Sequence, residues 1–308
     1  MPSRPDAKLN RAALAGAMRQ AALAAPLALT GCDWAVLDPK GFVGLSDVTI
    51  LIDSVAIMLA IVVPTIVATL AFAWWFRASN TRASYLPGFV YSGRIEMIVW
   101  GIPLLVIMLL GGVAWIGSHE LDPAEPLPSS TAPLNIQAVS LDWKWLFIYP
   151  DQHVAAVNQL VIPVGTPVQF SLSSGSVMTA FFVPQLGSMI YTMNGMVTRL
   201  NLRADADGTY YGEASHFSGD GFSDMHFDVH AVPPDQFAAW VKSTQSSGSA
   251  LDASSYAKLA RQGILPAPMT FGSVEASLFQ QIATQKIPPG PGPEEGRPNP
   301  SVSPRTGK

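Results

Sequence analysis

Two stretches without a charge constrain this chain more than any other feature. Ser54 to Phe76 runs for 23 residues uncharged, and Met97 to Ser118 is a second such run. As a helix the first would be about 35 Å long at 1.5 Å per residue, enough to cross the ~30 Å hydrocarbon core of a bilayer. Pro64 and Pro103 fall inside the runs; membrane helices tolerate proline because neighbouring groups satisfy the freed carbonyls. Gly111 and Gly112 leave room for another helix to come close. Composition agrees, with 49% of the 308 residues hydrophobic and only 13% charged, where soluble domains carry about a quarter. The expected spans are about 50–76 and 96–118, a transmembrane hairpin.

Orientation follows from the loop between the runs. It carries Arg77, Arg82 and Arg94 against a single acid, Glu96, at its far end, so the positive-inside rule places it in the cytoplasm. Trp74, Trp75 and Phe76 form an interfacial aromatic belt. Both outer ends then lie in the periplasm, with everything from about His119 onward. The N-terminus points the same way. Arg4, Lys8, Arg11 and Arg19 precede a short apolar run, Ala21 to Leu29, which ends in Leu29-Thr30-Gly31-Cys32. This resembles a bacterial lipobox, so residues 1–31 read as a signal peptide and Cys32 as an acylated mature terminus in the inner membrane. Each buried CH₂ of an acyl chain contributes about 0.8 kcal/mol. An ordinary signal peptide or uncleaved anchor with a chance cysteine is the plainer alternative. The lone cysteine excludes an internal disulfide framework. A net charge of −4 and the lack of a basic stripe argue against nucleic acid as a partner.

Residues 122–133 are Pro-rich (Pro123, Pro126, Pro128, Pro133) and read as a linker. From 134 to 233 the pattern becomes seven or eight short strands, including a clean alternation at Val168, Phe170 and Leu172; strands at this density suggest a β-sandwich. Residues 234–286 read as a helical extension. Asp235 is placed to cap its first helix, and Asp252 to Gln262 and Ser273 to Lys286 form two more. The tail 287–308, rich in Pro and Gly, is expected to be disordered.

Two places carry candidate chemistry. Glu96 sits at the cytoplasmic mouth of the second span. It reads either as a carboxylate complementing the helix dipole or as a proton-uptake group, since ionisable residues at membrane boundaries often mark proton routes. The second place is Tyr210 to Met225, a strand–turn–strand stretch with Gly212, Gly219 and Gly221. It has the outline of a metal-binding loop but few ligands. His226, Asp228 and His230 share a strand face, yet the two histidines are roughly 13 Å apart along a strand, too far for one ion.

Three longer segments then carry a resemblance covering about residues 32 to 286. Ile95-Glu96-Met97-Ile98-Val99-Trp100-Gly101-Ile102-Pro103 resembles the second-helix signature of subunit II of the haem–copper terminal oxidases. Asp142-Trp143-Lys144-Trp145-Leu146-Phe147-Ile148-Tyr149-Pro150 is similar to the aromatic segment opening its cupredoxin domain, and Ser176 to Gly187 to its first copper-ligand strand. The resemblance implies a transmembrane hairpin, an all-β cupredoxin-like Greek-key sandwich and short C-terminal helices. In the cytochrome c oxidases this subunit holds a binuclear copper centre of two thiolates, two imidazoles, a thioether and a glutamate carbonyl. On this chain the strand-histidine position is Thr179, the cysteine positions are Ala214 and Ser218, and the glutamate position is His216. The second histidine position is Phe222, and only Met225 keeps its ligand type. That pattern resembles the cytochrome bo3-type ubiquinol oxidase branch, whose subunit II is lipidated and copper-free. It implies no cofactor in this chain, with haems and a high-potential copper in subunit I. It also implies partnership with subunits I, III and IV and with membrane lipid, ubiquinol reaching the complex through subunit I, and a proton-pathway role for Glu96. Two rival readings stand beside it: a membrane-anchored periplasmic scaffold or binding lipoprotein reusing the sandwich, and a copper-bearing cytochrome c oxidase subunit.

Overall fold

The computed structural model describes residues 35–84 and 86–290. The expected signal peptide, Cys32 and nearly all of the expected disordered tail lie outside the described residues. A short 3₁₀ turn at Ala35–Leu37 belongs to a separate N-terminal unit that ends at Asp38; the rest concerns the unit beginning at Pro39.

Two long helices open that unit, α1 (Phe42–Trp75) and α2 (Gly93–Glu120). Both are long and apolar enough to cross a membrane, and each continues through its internal proline. α1 begins eight residues before the expected span. A search for charge-free sequence stops at Asp53 and never reaches Asp47, yet both lie within the helix. At about 51 Å, α1 exceeds the bilayer core, and its first turns have a different task. Val43, Gly44 and Val48 are buried, and the helix foot rests on the loop around Leu186. Lys40 and Gly44 donate backbone N–H groups to Gln185 O at 2.7 Å and Leu186 O at 3.1 Å. Asp47 Oδ2 accepts from Ser188 Oγ at 3.0 Å. A Cβ at Gly44 would stand 3.1 Å from Gln185 O, so the close seat depends on glycine. The two helices meet where Gly117 of α2 faces Ile50. Among the described residues, nothing beyond the local backbone of α2 comes within 4 Å of a would-be Cβ on Gly111 or Gly112.

Residues 122–133 contain no helix or strand. Ten strands follow, where the sequence suggested seven or eight: β1 (Leu134–Leu141), β2 (Lys144–Tyr149), β3 (Val154–Val157), β4 (Gln159–Pro163), β5 (Val168–Ser174), β6 (Thr179–Phe182), β7 (Ile190–Thr192), β8 (Thr198–Leu202), β9 (Gly208–Ala214) and β10 (His226–Val232). The extension adds α3 (Pro234–Gln245), β11 (Ala250–Leu251), α4 (Ala253–Leu259), β12 (Met269–Phe271), β13 (Ser273–Val274) and α5 (Leu278–Ala283). One sheet has the order β12-β3-β2-β1-β5-β8, the facing sheet β4-β10-β9-β6-β7, and β11 pairs with β13. β1 with β5 and β4 with β10 are the parallel neighbours within otherwise antiparallel sheets.

Between the two sheets Trp145, Phe147, Phe170, Phe181 and Phe227 pack with ring centroids 5.1–6.4 Å apart. Tyr149 ties the sheets: its hydroxyl donates to Val161 O and accepts from Val161 N, both at 2.9 Å. β2 is buried along its whole length because a second core lies on the other side of its sheet. There Val139, Leu146, Ile148 and Ala155 meet Tyr256, Leu259, Leu278, Phe279 and Ile282 of the extension. The extension is therefore a layer of the domain, and it is not wholly helical. The stretch from Ser273, read as helix, opens as β13; only Leu278–Ala283 is helical. Asp235 does not cap α3: Pro233 is the cap residue, Pro234 opens the helix, and Asp235 supplies charge to the first turn. Asp252 does cap α4, its Oδ1 accepting from Ser255 N at 2.8 Å.

Candidate functional site

The stretch Tyr210 to Met225 folds as β9, an irregular turn and a short 3₁₀ segment (Phe222–Asp224) leading into β10. β9 lies beside β6, which brings Thr179 to the mouth of the turn. Backbone bonds from Ser215 N to Ala180 O and from Ala214 N to Met225 O, both 3.0 Å, close its base. All six positions matched to copper ligands therefore come from one small region of the sandwich.

What they do there differs from ligation. The Thr179 hydroxyl, buried, donates to the His216 carbonyl oxygen at 2.9 Å. That carbonyl is the one the sequence resemblance matches to the backbone ligand of the copper centre, and one of its lone pairs is engaged within the chain. The Ser218 hydroxyl points to the Met225 sulfur at 3.8 Å, so the one retained soft donor faces a neighbouring side chain. Ala214 offers a methyl group, buried in the core. Phe222 packs its ring edge on Phe217 at 5.7 Å, and His216 meets the Tyr191 ring edge at 5.6 Å. Copper that cycles through Cu(I) needs thiolate and imidazole donors. Two hydroxyls, a methyl, a phenyl, one imidazole and one thioether do not fit a binuclear centre. Among the described residues, no three His, Cys, Asp or Glu side chains gather anywhere. His226 stacks on Tyr211 at 5.8 Å and His230 Nδ1 lies 3.1 Å from Thr209 Oγ1, so both act in strand pairing on β10.

Trp143 completes the region, and sequence reasoning missed its part. It occupies the β1–β2 turn with φ +64°, a strained value for a bulky residue. Its Nε1 donates to Ser218 O at 3.2 Å, and its indole lies on Gly221, where any Cβ would overlap the ring. The signal was present in the sequence as a tryptophan in a two-residue turn and a glycine pair at 219 and 221; only the fold shows that they meet.

Glu96 lies in the first turn of α2, and its Oε2 accepts from Trp100 Nε1 at 3.0 Å. The carboxylate and the surrounding face of α2 are exposed in the isolated chain.

Comparison with known proteins covers the sandwich and most of the chain. Residues 152–232 match the family model described as cytochrome c oxidase subunit II, periplasmic domain. The chain is 48% identical over 274 residues to the ubiquinol oxidase subunit 2 of Acetobacter aceti, a match spanning 88% of this chain and 89% of that one. It is 45% identical over 269 residues to the cytochrome bo(3) ubiquinol oxidase subunit 2 of Pseudomonas aeruginosa, spanning 87% and 81%. The solved periplasmic domain of subunit II of a cytochrome oxidase from Bradyrhizobium japonicum matches 37% of this chain and 94% of its own, with 25% identity and a TM-score of 0.36.

Proposed function

The chain belongs to the ubiquinol oxidase subunit 2 family, and on that premise we propose that it is the copper-free second subunit of a proton-translocating quinol:oxygen oxidoreductase. One observation carries the reading. The Thr179–His216 and Ser218–Met225 contacts engage, within the chain, groups that a copper relay would need. A water-soluble electron donor requires a relay on the periplasmic surface. A lipid-soluble quinol delivers its electrons inside the membrane and bypasses that surface.

In this reading the haems and the high-potential copper reside in subunit I. This chain packs α1 and α2 against that subunit, caps its periplasmic face and works beside subunits III and IV. The open surface at Gly111 and Gly112 suits close helix approach by such a partner. The arginines at 77, 82 and 94 favour a cytoplasmic loop, with the sandwich and an acylated Cys32 on the periplasmic side of the inner membrane. The test is to isolate the complex in mild detergent, count haem and copper, and drive oxygen uptake with quinol or with reduced cytochrome c. One copper per complex with quinol-driven uptake is expected. Three coppers with cytochrome c-driven uptake would make it a cytochrome c oxidase subunit, and a haem-free preparation would make it a scaffold lipoprotein.

A further inference from the structure

The β1–β2 turn sends its two side chains to different neighbours. Trp143 covers the 218–221 turn, whereas Asp142 is enclosed beneath the C-terminal extension. Asp142 is only 2% exposed; neither of its carboxyl oxygens makes a hydrogen bond of ordinary geometry, and neither does the buried Ser176 Oγ, whose hydroxyl makes only a loose contact with the carboxyl. The chain beyond α5 folds over this spot. Gly290 N donates to Gly175 O at 2.7 Å, and a Cβ on Gly290 would stand 3.4 Å from Asp142 Oδ2 and 3.5 Å from Ser176 Oγ. From α4, the Tyr256 hydroxyl lies against Gly175. From β2, Lys144 donates its ammonium to Arg261 O at 2.6 Å, and no ion pair joins it to Asp142. Lys144 and Tyr256 are thus the titratable groups facing the carboxyl; the 175–176 turn and residue 290 present only a hydroxyl and backbone.

A carboxylate enclosed without a well-formed hydrogen bond or ion pair is strongly disfavoured and neutralises instead. We propose that Asp142 is a proton-holding site: the segment at Gly290 closes over the β1–β2 turn while the buried carboxyl is neutral, and ionisation of that carboxyl releases the segment. The proton is exchanged with the surrounding water, and no other bond changes. The electrostatics of the cluster agree. Burial pushes the Asp142 carboxyl above its ordinary range, with the Ser176 hydroxyl and the Lys144 ammonium opposing it. Burial pushes Lys144 down, and burial, helped by Asp142, pushes Tyr256 up. The folded chain therefore binds this proton more tightly than the unfolded chain. Its contribution is complete below the ordinary aspartate range and is lost as pH rises through the higher folded value. Release begins at Gly290, which a backbone bond to Gly175 O holds against this spot.

The test uses the full chain in its detergent-solubilised complex and follows proteolytic cutting within residues 286–290 from acidic to mildly alkaline pH. When opening is faster than cutting, the rate follows the open population, so wild type should be cut up to about tenfold faster per pH unit above the folded value. Asp142→Asn, neutral at every pH, should show no such rise. Ser176→Ala removes a group that favours the ionised form and should move the transition to higher pH, a shift that loss of packing alone does not produce. A pH-independent wild type, an undiminished rise in Asp142→Asn, or an unmoved transition in Ser176→Ala would each overturn the proposal. If Asp142→Asn does not fold, Ser176→Ala decides.

Discussion

Thr179 and Ser218 show how few atoms separate a metal centre from a closed loop. Each is a hydroxyl where, on the proposed alignment, a copper centre needs a nitrogen or sulfur donor, and each turns its hydrogen bond to the backbone or thioether beside it. The turn then keeps its shape by packing, chiefly Trp143 on Gly221. That contact makes a prediction at residue scale. Gly221→Ala puts a methyl group into the indole and should destabilise the chain by about 1–3 kcal/mol, the usual cost of overpacking. Trp143→Ala should cost about 3–5 kcal/mol through the cavity it leaves. The double variant should cost clearly less than the sum, because the two residues share one contact. Chemical denaturation of the four proteins measures the cycle; strict additivity would show that the indole and Gly221 are energetically independent.

At the scale of elements, the proposed alignment makes the hairpin between β9 and β10 a ligand-loop scaffold without its ligands. Restoring Thr179→His, Ala214→Cys, Ser218→Cys and Phe222→His together should return copper binding and the purple absorbance of a binuclear centre, read by spectroscopy and metal analysis. A folded quadruple variant that takes up no copper would sink the alignment of these positions. The hairpin was legible in the sequence because its glycines mark a turn between two strands, and the fold brings Thr179 to that turn; the six copper positions came only from the family resemblance. Other elements were not legible, for identifiable physical reasons. α1 begins at Phe42 because its foot is held by backbone bonds to Gln185 and Leu186, contacts more than 140 residues away that no charge-free window registers. The start at Ser273 became a strand because β11 offered an edge to pair with, a tertiary partner outweighing local helix pattern. The aromatic run of β2 did not alternate because the extension covers its second face. A strand buried on both sides loses the period-2 signal that would locate its inner face.

For the whole molecule, the arrangement places two kinds of chemistry at opposite ends of the membrane helices. The closed copper loop belongs to the sandwich beyond α2, and Glu96 to the other end of that helix, beside the arginine-bearing loop. The carboxylate complements the positive helix terminus, worth about 0.3–1 kcal/mol, and it accepts the Trp100 indole N–H. Glutamine at this position keeps an acceptor for Trp100 and the shape of the side chain, but cannot take up and pass on a proton. If Glu96 only serves the helix, Glu96→Gln should leave assembly and turnover at wild-type levels, with a small loss of stability. If it feeds a proton route in the complex, haem content and subunit composition should stay normal while quinol-driven oxygen uptake falls by about tenfold, equivalent to ~1.4 kcal/mol of activation free energy. Proton release, measured with the complex reconstituted into sealed vesicles, should fall with it. We expect the second outcome, because a carboxylate on an otherwise uncharged helix face acquires a use once a partner covers that face and excludes water. Normal turnover with normal proton release in the purified variant would return Glu96 to a purely electrostatic role at the helix end.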